Sequence, residues 1–567
     1  MPITEKPLSN IRTLTRMPVV TAPRAQEAGG WDRRSTALLL CVLVIAAAAI
    51  LRGINVGEFS YNVDESQHAM TGVYVADLVR DHPWSHPIAY TYRYYAQYPA
   101  LSGIIHWPPL FYCFEGLFFL VLGPTVFAAR LAILFFALLG VVFWFLLVRE
   151  LLNEWAAAFS AAVLALLPSI LLFEKTVMLE IPLLSLCIAA SFFWIRYLLR
   201  GIKSDVYWFS LFASAALLTK QNGIYLVPFC VLSGLLCGGW KLFLRKEMLR
   251  AAAICFLLIS PFYVLVYAVH RKTIEMDLAE KSIAGTARWL FYLRALPLQL
   301  GWVFLALGVL GILTRRTWGR PLVSGIMLSW IVACYVTLTL IGHKEGRYVI
   351  YWIPPFLYFA SGLLFCFFRK PRLKILGASM AVVLLGTTMA FAWRTHRPYV
   401  TGFAAIPKKI LEESKSGVIL FDGPLPGNFI FFMRADDPDR RFLVLRKALY
   451  AYQIKKSGGS TELIHSREEI EDLFREDGVR FIVVSDNAPL NFESQKMLRD
   501  YLKNDSCIEL ARFPLGGNDL YPPNSSLVLY ENMNWAPPTG KDLHIKMLTM
   551  GHDIVVPWDS FPALQTK

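Results

Sequence analysis

Apolar runs long enough for a lipid bilayer recur along this chain from Thr36 to Trp393, and short polar loops carrying most of the charge separate them. A helix crossing the hydrocarbon core needs roughly 20 mostly apolar residues. Windows near that length fall at 36–54, 125–148, 156–171, 182–199, 206–218, 222–238, 251–269, 296–313, 321–341, 349–367 and 375–393. The pattern predicts a polytopic α-helical membrane protein with about eleven transmembrane helices. One further apolar segment, Pro108 to Leu122, is shorter, contains Glu115 and is bounded by Pro108-Pro109 and Gly123-Pro124. It reads as an interfacial or re-entrant helix inside one long first outer loop, 55–124.

Charge parity supports that reading. Arg33/Arg34, Arg200/Lys203, Lys241/Arg245/Lys246/Arg250, Arg315/Arg316/Arg320 and Arg369/Lys370/Arg372/Lys374 share one side only if Pro108–Leu122 does not cross. The positive-inside rule makes that side cytoplasmic, so the N-terminus is expected inside and the C-terminal part outside. Residues 1–34 read as a disordered cytoplasmic tail and 35–394 as the transmembrane domain. Beyond Trp393 the pattern changes to strand-like runs at Val418–Phe421, Phe442–Leu445, Phe481–Val484 and Leu527–Tyr530, with amphipathic stretches at Arg467–Glu476 and Glu493–Lys503. Residues 395–567 are therefore expected to form a small soluble extracytoplasmic α/β domain.

Composition adds little to this picture and removes one alternative. Hydrophobic residues make up 56% and charged residues 17% of the 567, with a net charge of +14. Because the excess sits in loops on one side, it signals topology and not nucleic-acid binding. Eight of nine cysteines lie in or beside apolar segments, leaving Cys507 alone in the tail, so no disulfide framework is available.

The sharpest candidate chemistry is the acidic pair Asp64-Glu65 in Tyr61-Asn62-Val63-Asp64-Glu65-Ser66-Gln67-His68, about ten residues past the first apolar run. A carboxylate enclosed near the membrane surface can accept a proton from an attacking hydroxyl. Neighbouring side chains point in different directions, so Asp64 is expected to address the reacting atom while Glu65 holds geometry or bonds nearby backbone. The same pair also reads as a solvated acidic loop. Other outward loops carry His106-Trp107-Pro108-Pro109, Glu180-Ile181-Pro182, Thr219-Lys220-Gln221 and His343-Lys344-Glu345-Gly346-Arg347-Tyr348. Cations gathered at that face are what a departing phosphate requires, with Lys220 and Arg347 first and His343 and Lys344 second. Lys220 reads equally as a snorkelling span end, and Arg347 as a partner of Glu345. His68, His106 and His343 have no metal-ligand spacing, so no metal site is assigned. The run Tyr90, Tyr92, Tyr94, Tyr95, Tyr98 reads as an interfacial aromatic belt.

In this order, Asp64-Glu65, His106-x-Pro108-Pro109-Leu110, Arg130, Glu180-Ile181-Pro182, Thr219-Lys220 and Arg347-Tyr348 followed by Pro354-Pro355 resemble the GT-C glycosyltransferases of the protein O-mannosyltransferase and aminoarabinose-transferase type. This is the dolichyl-phosphate-mannose-protein mannosyltransferase family, and the resemblance spans roughly 36–393. It implies a catalytic carboxylate at Asp64 with Glu65 beside it, and substrate contacts at His106, Glu180 and Tyr348. The implied reaction moves a monosaccharide, with inversion, from a polyprenyl-phosphate donor to a lipid, glycan or protein acceptor at the outer face. No other cofactor is implied. The expected setting is a bacterial inner membrane with the site on the extracytoplasmic side. The second reading is a transporter or flippase of lipid-linked sugars. It would favour acidic residues at mid-membrane depth and internal repeats, and the sequence has neither.

Overall fold

The computed structural model describes residues 32–60, 62–101, 107–279, 285–446, 448–452, 460–518, 525–548 and 552–565. Most of the expected N-terminal tail and His106 lie outside the described residues. The first helix begins earlier than the apolar pattern suggests, because Asp32 caps Arg33–Leu51 by accepting from the Ser35 amide, which places Arg33 and Arg34 in its first turn.

Among the described residues, eight helices are long and apolar enough to cross a membrane, or up to ten if each of two bent pairs counts as one span. Both bends correct an expected straight span. Glu154–Leu166 and Pro168–Glu174 meet at 65°, where Pro168 cannot continue the helix. The run expected at 296–313 is broken at Gly301, whose φ of 80° turns Ala287–Leu300 against Trp302–Trp318 by 114°. The segment expected at 206–218 forms Lys203–Leu217, only 15 residues long, about 22 Å of helix and short of the hydrocarbon core.

Ion pairs fix which helix ends lie together. Arg200, at the end of Glu180–Arg200, pairs with Glu150 at 2.5 Å, and Arg34 pairs with Glu154 at 3.5 Å. That end of the bundle therefore gathers the start of the first span and the Arg200 cluster. The start of Glu180–Arg200, with Glu180, lies at the opposite end.

The stretch between the first helix and Val126–Leu151 holds three helices, Val63–Asp81, Pro87–Gln97 and Leu110–Leu122. Leu110–Leu122 buries Glu115 completely and leaves Leu117 and Val121 exposed, 57% and 81%. It lies so close to Val63–Asp81 that a Cβ on Gly116 would meet Val75 Cγ1 at 3.1 Å and the Gly72 carbonyl at 3.3 Å. Of the tyrosines expected to form an interfacial belt, only Tyr92 keeps partial exposure. Tyr90, Tyr94, Tyr95 and Tyr98 are buried, with Tyr94 donating to Asp77 at 2.6 Å and Tyr90 to Asp81 at 2.8 Å. The i, i+4 spacing of Tyr90, Tyr94 and Tyr98 lays these rings along one helix face, and the Tyr90 and Tyr94 phenols serve carboxylates of Val63–Asp81.

The C-terminal part is built on a five-stranded sheet of β1 (Gly417–Asp422), β2 (Phe442–Leu445), β3 (Val479–Ser485), β4 (Cys507–Pro514) and β5 (Ser526–Asn532), in the order β2-β1-β3-β5-β4. β1 pairs in parallel with β2 and β3, and β5 pairs antiparallel with β3 and β4. Four strands were legible as apolar runs. β4 was not, because this edge strand alternates exposed residues along Cys507–Pro514.

Polar clamps join this part to the stretch between the first helix and Val126–Leu151. Asp77, 1% exposed, takes a bidentate Arg434 at 2.6 and 2.8 Å. Glu58 accepts the amides of Gly402, Phe403 and Ala404 at 3.3, 3.1 and 3.0 Å. Asn428 donates to the Phe59 carbonyl at 2.6 Å.

Candidate active site

Asp64 and Glu65 occupy the first turn of Val63–Asp81, where Asn62 caps the helix by accepting the Asp64 amide at 2.7 Å. Carboxylates are favoured there by the helix dipole. One residue of rotation separates their fates. Glu65 is buried and spent on backbone, accepting from the Ser60 amide at 3.0 Å and the Val177 amide at 3.1 Å. Asp64 keeps 33% of its side chain exposed, takes the Asn62 amide nitrogen at 3.2 Å and faces Arg347 Nη2 at 3.4 Å.

Arg347 opens the segment Gly346–Cys366 and is 6% exposed. Its Nη2 donates to Glu345 at 2.8 Å, while Nε lies 2.6 Å from Glu345 and 3.2 Å from Glu180 without hydrogen-bond alignment to either. Nη1 is buried with no partner among the described residues. Glu180, at the first turn of its span, is fully buried and receives Lys220 Nζ at 2.5 Å on Oε1, while Oε2 has no hydrogen-bond partner. Lys220 is 3% exposed and its ammonium lies over the rings of Trp107 and Tyr348, 5.6 and 5.2 Å from their centroids. Burial, partly offset by Glu180, lowers its pKa from the usual lysine value.

The structure therefore brings together Asp64, Glu180, Lys220, Arg347 and Tyr348 from four separated segments. Two other predicted cations stand differently. His343 reaches the cluster through Glu345, which it contacts at 2.7 Å. The Lys344 ammonium is taken up by the carbonyls of Leu338, Thr339 and Ile341 at 3.2, 2.7 and 2.6 Å, capping the end of Pro321–Leu340.

Two further residues, Glu345 and His68, join the cluster beyond those first assigned to it. Burial pushes Glu345 up, but the His343 hydrogen bond and the Arg347 charge outweigh it and hold the carboxyl at about 2. His68, one helical turn past Asp64, is buried with Nδ1 2.7 Å from the Tyr112 hydroxyl. Burial, only partly countered by Asp64, depresses its pKa to about 4. The i, i+4 spacing of Asp64 and His68 was the one available hint. Among the described residues no three His, Cys, Asp or Glu side chains come together to hold a metal ion.

This fold recurs in solved structures. ArnT from Cupriavidus metallidurans in the apo state superposes with a TM-score of 0.61 at 14% identity, covering 89% of this chain and 100% of that one. The same protein bound to undecaprenyl phosphate gives 0.56 at 14% identity, covering 87% and 97%. The oligosaccharyltransferase of Archaeoglobus fulgidus in the apo form gives 0.50 at 11% identity, covering 81% and 70%. No curated protein sequence matches the chain. In sequence, residues 106–265 match the dolichyl-phosphate-mannose-protein mannosyltransferase family. The chain resembles the GT-C glycosyltransferases in fold and, over residues 106–265, in sequence. The family match takes in Glu180 and Lys220, whereas Asp64 and Arg347 come from segments outside it and reach the cluster only through the fold.

Proposed function

We propose that this chain is a membrane glycosyltransferase that moves a monosaccharide from a polyprenyl-phosphate donor to a lipid, glycan or protein acceptor, and that Asp64 is the catalytic base. The observation that carries the reading is the contrast within one cluster. Asp64 is accessible, while Lys220, Arg347, Glu180 and Glu65 beside it are buried. In the step envisaged, the acceptor hydroxyl or amine gives its proton to Asp64 as its oxygen or nitrogen bonds to the anomeric carbon. The bond from that carbon to the phosphate oxygen breaks, and the lipid phosphate leaves with the electron pair. A single displacement of this kind inverts the anomeric centre.

Lys220 and the unpartnered Arg347 Nη1 would receive the phosphate oxygens, since charge-assisted donors in a desolvated site stabilise a departing anion without protonating it. Glu180 would keep both cations in place, and Glu65 would fix the helix turn that presents Asp64. His106 and Tyr348 would flank the substrate, with His343 and Lys344 at the rim of the phosphate site. ArnT bound to undecaprenyl phosphate, a solved relative in fold, agrees with a lipid-phosphate donor. The basic clusters at the opposite end of the bundle support an extracytoplasmic site in a bacterial inner membrane, with residues 395–567 over it.

The test compares glycolipids and glycoproteins of a deletion strain complemented with wild type or Asp64→Asn at equal protein levels. One sugar modification restored by wild type alone is the expected result, and full restoration by Asp64→Asn would overturn the assignment.

A further inference from the structure

A second cationic cavity lies at the same end of the bundle, on the other side of Glu65. It encloses about 570 Å³, and its lining carries Arg52, Lys175, His396 and Arg397 with Tyr399 and Asn518 and, among the described residues, no carboxylate. Two of these groups are committed to building it. Arg397 donates to the carbonyls of Lys175 at 3.1 Å, Gly53 at 3.4 Å and Val56. Arg52 stacks over Trp393, with its guanidinium carbon 3.5 Å from the ring centroid, and donates to the Trp393 carbonyl.

Lys175 is different. It is 7% exposed, and its ammonium makes no hydrogen bond or ion pair among the described residues. Burial and the neighbouring Arg52 guanidinium, with Glu174 only partly compensating, lower its pKa from the ordinary lysine value. A cation at the cavity wall beside two others, with no hydrogen-bond partner among the described residues, can take an anion from the cavity. Its depth says which kind of anion would be within reach. Arg52 follows the end of Arg33–Leu51, and Thr395 to Arg397 follow the end of Pro371–Arg394. These two helices have only 22% and 17% of their apolar windows buried, so both face lipid. The mouth therefore sits where phospholipid headgroups meet water, beside the exposed Trp393.

We propose that Arg52, Lys175 and Arg397 form a binding site for the phosphate headgroup of an anionic lipid, separate from the Lys220–Arg347 cluster.

The experiment titrates full-length protein in detergent with phosphatidic acid, phosphatidylglycerol, phosphatidylcholine and inorganic phosphate, counting bound molecules by native mass spectrometry. Wild type should retain one anionic lipid, with Lys175→Gln and Arg52→Gln about tenfold weaker or more and Lys175→Arg close to wild type. Preference for phosphatidic acid over phosphatidylglycerol would identify a phosphomonoester headgroup. Equal retention of the two would identify a bulk anionic phospholipid. Asp64→Asn should bind as wild type does, which separates this site from the catalytic reading. Equal retention by wild type and both glutamine variants, or displacement of the lipid by inorganic phosphate at equal concentration, would overturn the proposal.

Discussion

At Asp64 and Glu65, two adjacent carboxylates are separated by what surrounds them. Because Glu65 satisfies the buried amides of Ser60 and Val177, Glu65→Ala should leave both donors unpaired and cost on the order of 2–4 kcal/mol. A lowered unfolding midpoint in detergent would register that loss. Asp64→Asn removes no buried bond of this kind, so it should keep the wild-type midpoint while transfer falls by about 10²–10⁴. A radiolabelled-donor assay on the same preparation reads the second quantity. His68 provides a pH signature. Its folded pKa of about 4 lies below the ~6.5 of an exposed histidine, so between these values the unfolded chain takes up a proton that the folded chain refuses. Stability is full above pH ~6.5 and declines as pH falls toward 4, by on the order of 3 kcal/mol. An unfolding series across that range should show the decline in wild type and lose its His68 component in His68→Gln.

At the scale of elements, the site depends on helices that approach too closely for side chains. Trp302–Leu313 crosses Ile353–Cys366 where a Cβ on Gly308 would lie 3.2 Å from the Phe356 carbonyl and one on Gly311 would collide with the Phe359 carbonyl. The Gly311 obstacle is backbone and cannot rotate away, so Gly311→Leu should push apart the helix that leads into Arg347. Loss of folded protein in size-exclusion chromatography, or a midpoint drop equivalent to about 1–3 kcal/mol, is the expected outcome. The same close packing explains why Leu110–Leu122, despite its apolar sequence, is seated on Val63–Asp81 and not extended into a longer span. It is only 13 residues long, Glu115 is inside the contact, and Gly72 and Gly116 provide the room.

The whole molecule is held together by buried polar clamps between its membrane and C-terminal parts. Arg434 and Asp77 are 5% and 1% exposed and joined bidentately, so Arg434→Ala would take the main counter-ion from a buried carboxylate, leaving it Tyr94 at 2.6 Å and Arg80 at 3.4 Å. A cost of about 3–5 kcal/mol is expected, seen as faster proteolysis of the C-terminal part than in wild type. Topology is testable at this scale as well. A reporter fused after Lys220 should read extracytoplasmic and one after Arg200 cytoplasmic, since the two residues lie at opposite ends of the bundle.

By itself the sequence determined the helical membrane architecture, the bundle's charge parity, four strands of the C-terminal sheet and the candidate residues Asp64, Lys220, Glu180, Arg347 and Tyr348. These follow from local properties: apolar length, the spacing of Lys and Arg, and alternation along a strand. Only the tertiary structure decided which member of the acidic pair is accessible, that Glu180 binds both Lys220 and Arg347, that Lys344 is spent on a helix end, and that the tyrosine run is buried apart from Tyr92. Apart from Lys344, whose carbonyl partners are three to six positions away, those outcomes depend on contacts between residues tens to hundreds of positions apart, such as Asp64 with Arg347 and Asp77 with Arg434. A side chain's burial and charge partners are set by the segments folded against it, and no local pattern in the chain encodes them.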